Sequence, residues 1–95
     1  MPTKKLLLHE RQQVEIAAFV EIKIWQVPKS DKGSAHLFKY SLAYVVNETC
    51  VLRYDNEAGK GDHKHISDSE SDYAFSTTEQ LLKDFWIDVD KWGNE

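Results

Sequence analysis

The chain has 95 residues, of which 41% are hydrophobic and 29% charged, with a net charge of −4. This suits one domain, 1–95, with a modest core, because a chain of this size buries only roughly 60% of the surface its unfolded form exposes. The composition excludes a disordered chain, and the short apolar runs exclude a spanning helix.

Residues 14–27, VEIAAFVEIKIWQV, place Val14, Ile16, Ala18, Val20, Ile22 and Ile24 on one side at period two, with Glu15, Glu21 and Lys23 opposite. One strand is predicted there, although Glu, Gln and Ala around residues 10–18 also suit the start of a helix. Trp25 falls on the side away from the isoleucines, where a second buried layer or a partner surface must account for it. Pro28 ends the strand, and KSDKGSA supplies a polar connection. In LFKYSLAYVV, residues 37–46, Phe38, Tyr40, Leu42, Tyr44 and Val46 share a face and predict a second strand. Asn47 and Glu48 form a tight turn into a third, in which Cys50, Leu52 and Tyr54 alternate with Val51, Arg53 and Asp55. Tyr40, Tyr44 and Tyr54 read as core aromatics.

Residues 55–72, DNEAGKGDHKHISDSESD, lose the alternation and predict a loop, with at most a short strand over His63–Ile66. Thr77 with Gln80, or Ser76 with Glu79, then caps a helix. Its apolar face is Leu81, Leu82, Phe85, Trp86, Val89 and Trp92; Asp84, Asp88 and Asp90 lie on a solvated remainder, and Gly93 is a stop. The expected fold class is α+β: a small twisted antiparallel β-sheet of three to five strands covered on one side by the C-terminal α-helix.

MPTKKLLLHE holds too short an apolar segment for an export signal, so a cytoplasmic protein with flexible N-terminal residues is expected. The single cysteine, Cys50, excludes an internal disulfide and a multi-cysteine zinc site, and is expected as a small buried group. Charge is uneven: residues 1–40 hold seven Lys or Arg against four Asp or Glu, whereas residues 41–95 hold five against twelve. A uniformly basic nucleic-acid clamp is excluded, while local positive surface remains available.

Chemistry concentrates in Tyr54, Asp55, Asn56, Gly59, Gly61, Asp62, His63, Lys64 and His65. An extended His63–Ile66 would point His63 and His65 to one face and Lys64 to the other, whereas a turn would let all three converge. Imidazole titrates near neutral pH, so the two histidines suit the base and acid of metal-free RNA cleavage. Arg53 or Lys64 would contact phosphate, and Tyr54 would donate a hydrogen bond or stack on a base. Asp55 or Asp62 would orient a histidine, and Gly59 and Gly61 would shape the loop. A metal reading instead takes His63 and His65 with Asp55 or Asp62, joined by His36. In the plainest reading these are ordinary turn residues in a solvated loop. GKG at residues 59–61 lacks the rest of a phosphate-loop pattern.

The stretch LRYDNEAGKGDHKH, with KYSLAYVV before it and YAFSTTEQLLKDFWIDVDKW after it, resembles the TumE-type toxins of prokaryotic toxin–antitoxin pairs over most of residues 38–92. By position, Tyr54, Asp55 and Asn56 match the family's YDN, Asp62 the polar position before its histidines, and His63 and His65 its paired histidines. Lys64 stands where a basic residue is common. The resemblance implies a cytoplasmic, growth-inhibiting protein neutralised by a cognate antitoxin in a hetero-oligomer, with RNA or the ribosome as further partners and no membrane role. It does not supply a reaction. The reading carried forward is a toxin acting as a metal-independent endoribonuclease without cofactors. Its catalytic residues would be His63, His65, Tyr54 and Asp55, its substrate contacts Arg53, Asn56 and Lys64, and its structural or orienting residues Gly59, Gly61 and Asp62. The alternatives are a non-catalytic protein-binding module of a toxin–antitoxin complex and a metal-assisted nuclease.

Overall fold

The structure, a computed structural model, describes residues 4–28, 36–56 and 61–93. Strands β1 (Lys5–Glu15), β2 (Ala18–Gln26), β3 (Phe38–Val46), β4 (Thr49–Asp55), β5 (His63–Ile66) and β6 (Ser69–Asp72) precede helix α1 (Thr78–Gly93). The strands form one antiparallel sheet in chain order, the meander that short connections favour. The expected α+β arrangement holds, but the sheet has six strands rather than three to five.

The additional strands arise where apolar alternation is a poor guide. The strand expected over 14–27 is two, because the chain reverses at Ile16–Ala17: Ile16 is 96% exposed and Ala17 adopts a φ of 63°. No glycine, proline or asparagine marks this turn, and the apolar pattern runs straight through it. The N-terminal KLLLHERQQVE, expected in part as a flexible tail, is edge strand β1, hydrogen-bonded to β2 alone and largely exposed. At the other edge, the SESD of β6 contains no apolar residue and is held by its ladder to β5.

One face of the sheet carries the core. Ala18, Val20, Ile22 and Ile24 of β2, Tyr40, Leu42 and Tyr44 of β3, and Leu52 and Tyr54 of β4 pack with Leu81, Phe85 and Val89 of α1. Leu82, Trp86 and Trp92 close its margin. Thr77 is the cap: its Oγ1 accepts the Gln80 amide at 3.0 Å, satisfying a donor that the first turn leaves free. Cys50 is exposed rather than buried. A bulge between Tyr44 and Val45 pairs Val45 with Cys50, which moves Cys50 off the face occupied by Leu52. Among the described residues no helix or strand covers the opposite face, hereafter the open face.

The Ile16–Ala17 turn is directly testable. Alanine at positive φ is strained where glycine is not, so Ala17→Gly should raise stability in urea unfolding by up to about 1 kcal/mol. In an unbroken strand the same substitution would lower it.

Candidate functional site

The DHKH segment is extended, so the sheet divides it. Across the β4–β5 ladder, Arg53 pairs with His65, Tyr54 with Lys64 and Asp55 with His63. Alternation sends Arg53, Asp55, His63 and His65 to the open face and Tyr54 and Lys64 to the helix side. Four of the candidate residues are brought together, and two are separated from them by the thickness of the sheet.

On the open face, His63 is almost wholly buried, its Nδ1 3.0 Å from the Gly61 carbonyl oxygen and its Nε2 2.6 Å from Asp55 Oδ1. The Gly61 carbonyl accepts, which fixes a proton on Nδ1. The Asp55 contact is close but off the N–H line: Oδ1 is a buried carboxylate oxygen left without an aligned hydrogen bond. His65, its side chain partly exposed, lies edge-on to His63 with ring centroids 5.1 Å apart, and its Nε2 is 3.9 Å from Glu70. Arg53, half exposed, reaches Asp55 at 3.9 Å. Gly61 turns the chain into β5 with a φ of 72°, a conformation that a side chain would strain. Gly59 lies outside the described residues.

The helix side is a hydrogen-bonded docking layer. Tyr54, buried, donates to Asp88, and Lys64 reaches the same carboxylate at 3.4 Å. Tyr73 donates to Asp84 at 2.5 Å, and Gln80 binds the other oxygen of that carboxylate at 2.8 Å. Asp84 and Asp88 therefore serve as internal acceptors rather than lying on the solvated helix face that their spacing suggested. Asp62, next to His63 in sequence, turns elsewhere: its Oδ1 accepts from the Tyr40 hydroxyl at 2.6 Å and from His36 Nε2 at 2.8 Å. His36 Nδ1 accepts the Phe38 amide at 3.1 Å, so the proton that His36 gives to Asp62 is on Nε2. Asp55 thus accompanies His63, and Asp62 orients His36. Asn56 is a structural clip, accepting the Tyr40 amide at 2.9 Å and donating to the Phe38 carbonyl at 2.6 Å.

The match to known sequences follows the same span. A family model described as Toxin TumE matches residues 4–93, from the start of β1 through α1. The chain belongs to the TumE toxin family. No curated protein and no solved structure gives a significant match. As a TumE toxin it is one half of a toxin–antitoxin pair, with a cognate antitoxin as partner. Among the described residues no helix is long and apolar enough to cross a membrane.

The TumE toxin's open face also gathers Glu70, Lys23, Lys39 and Ser41, which its sequence did not single out, and Trp25, which it marked without a partner. Glu70 joins His63 and His65, each offering a ligand atom within 4.8 Å of the others, a set able to hold a divalent ion. Its signal was a hairpin hidden in ISDS: pairing Ile66 with Ser69 about a turn at Ser67–Asp68 sets His65 opposite Glu70. Lys23, Trp25, Lys39 and Ser41 line a cavity with Arg53 and Asp55. They come from strands that pair with one another, a relation no local motif carries.

Two outcomes follow from the buried polar groups. Asn56→Ala leaves two backbone groups of β3 without partners and should cost roughly 2 kcal/mol or more in denaturant unfolding. All four tyrosines have pKa values raised above the ordinary 10.0, first by burial; carboxylates add to this, Asp62 for Tyr40, Asp88 for Tyr54, Asp84 for Tyr73 and Glu15 for Tyr44. The folded state then holds the phenolic protons more tightly than the unfolded chain. Their contribution to stability is complete below pH 10 and is lost as pH rises beyond it. An ultraviolet titration should show phenol ionisation coinciding with loss of the far-ultraviolet dichroism, rather than preceding it.

Proposed function

We propose that this TumE toxin is an endoribonuclease that acts in the cytoplasm and cleaves RNA on its open face. The observation that supports it most is the pair of imidazoles 5.1 Å apart, side by side on one sheet face with Arg53 adjoining. Cleavage next to a 2′-hydroxyl needs a base for that hydroxyl, an acid for the departing 5′-oxygen and a cation for the phosphoryl oxygens. In this reading His65, the more exposed ring, takes the 2′-hydroxyl proton. His63, its Nδ1 proton held by the Gly61 carbonyl, supplies the proton of Nε2, which lies off the line to Asp55, to the leaving oxygen. Arg53 steadies the phosphoryl group. Tyr54 and Lys64 act at a distance by anchoring β4 and β5 to α1, and Asn56, Gly61 and Asp62 shape the strand ends.

A metal-assisted version has one observation in its favour, the His63, His65 and Glu70 ligand set. There an ion held by these side chains would lower the pKa of a bound water, and Glu70 would become indispensable.

The test incubates antitoxin-free toxin with single-stranded and structured RNAs. His65→Ala should lower cleavage by about 100-fold or more, Arg53→Ala should slow it, Tyr54→Phe should retain it, and a chelator should leave it unchanged. Cleavage unaltered in His65→Ala overturns the assignment. Loss with chelator, restored by one divalent ion and abolished by Glu70→Gln, establishes the metal-assisted version instead. A toxin that cleaves none of these RNAs, yet loses antitoxin binding on His65→Ala, is a protein-binding module.

A further inference from the structure

Trp25 is left unexplained by the core and by the proton-transfer groups. It sits on the open face of β2, in register with Lys39 of β3 and Leu6 of β1, and the Lys4 ammonium lies 4.8 Å above its ring. Beside it is a cavity of about 320 Å³ lined by Lys23, Trp25, Lys39, Ser41, Arg53 and Asp55. We propose that this cavity is a subsite for single-stranded RNA, with a nucleobase stacked on the Trp25 indole and the adjoining phosphates held by Lys23, Lys39 and Arg53.

Four observations support it. An indole among three cations combines the two elements of single-strand binding, an aromatic platform for any base and positive charge along the backbone. The cations are gathered here although the chain as a whole carries −4, so the cavity is where a polyanion is attracted. Lys23 and Arg53 meet the carboxylates of Glu21 and Asp55 only at 3.9 Å and are themselves substantially exposed, pairs weak enough to yield to a phosphate. Finally, Ser41 pairs with both Lys23 and Asp55, and Asp55 pairs with His63, so one row of the sheet leads from the cavity to the imidazoles. With strands about 4.8 Å apart, Trp25 lies roughly 12 Å from Asp55, within the span of a short oligonucleotide.

The inference deepens the cleavage reading by giving it a substrate class, and its test is separate from cleavage. A fluorescent single-stranded RNA with 2′-O-methyl groups throughout keeps bases and phosphates but lacks the attacking hydroxyl. The intact toxin should bind it, with affinity falling as salt rises. Trp25→Ala should bind about 5- to 150-fold more weakly, as the loss of one stacked base does. Trp25→Phe should recover most of the affinity, and Lys83→Ala, which removes an exposed cation of α1 away from the open face, should bind as the unsubstituted toxin does. Thermal unfolding of each variant identifies any that has failed to fold, and Trp25→Phe then carries the comparison against Trp25→Leu, which keeps bulk without an aromatic face. Equal affinity for Trp25→Ala, or no binding by the intact toxin at low salt, overturns the subsite even if RNA is cleaved. Loss of antitoxin binding with RNA affinity unchanged also overturns it, making the cavity a protein contact. Binding that depends on Trp25 without cleavage of any RNA upholds the subsite and removes the nuclease.

Discussion

The β4–β5 ladder governs everything else in this molecule, because a strand gives each residue one side of the sheet and no other. Asp55 opposite His63 and Arg53 opposite His65 put two acid–base groups and a cation on the open face. Tyr54 opposite Lys64 puts the intervening residues under α1. A slip of one residue in this register would turn β5 over while β4 stayed fixed by its ladder to β3: the helix side would receive the two histidines, and the open face would receive Lys64.

The same two-sidedness reconciles an acidic chain with the RNA-facing role proposed for it. Four of the twelve acidic residues after residue 40 are used internally. Asp84 and Asp88 accept from tyrosines in the helix-docking layer, Asp62 accepts from Tyr40 and His36, and Asp55 lies against His63. Asp84, Asp88 and Asp62 do not line the open-face cavity, which Lys23, Lys39 and Arg53 border together with Asp55. Net charge sums over groups that never face the same partner. The distribution of paired and unpaired carboxylates determines what an approaching phosphate meets.

The parts of the fold legible in the sequence were those where one side is packed and the other is not. Leu42, Tyr44, Leu52 and Tyr54 announced β3 and β4 by alternation, and Leu81, Phe85 and Val89 announced α1 by helical spacing behind the Thr77 cap. The Ile16–Ala17 turn was hidden because alternation continued across it and no turn residue marked it. β6 was hidden for the opposite reason: SESD buries nothing, and its strand state depends on hydrogen bonds to β5. In the site, the proximity of His63 and His65 could be read from their spacing once an extended chain was allowed. The alignment of Asp55 with His63, and the addition of Glu70 and Trp25, could not, because each depends on a neighbouring strand.

Sequence alone determined a small α+β toxin of the TumE type, with its reactive groups crowded into YDN and DHKH, since composition, periodicity and motif are local properties. Tertiary structure decided which of those groups share a surface. It set Tyr54 and Lys64 against α1 and Asn56 and Asp62 against β3 and His36, and it gathered Asp55, His63, His65 and Arg53 on the face that carries a tryptophan from a strand far earlier in the chain. The reason is physical: strand pairing converts residues distant in sequence into neighbours about 5 Å apart, while the pleat turns adjacent residues to opposite faces.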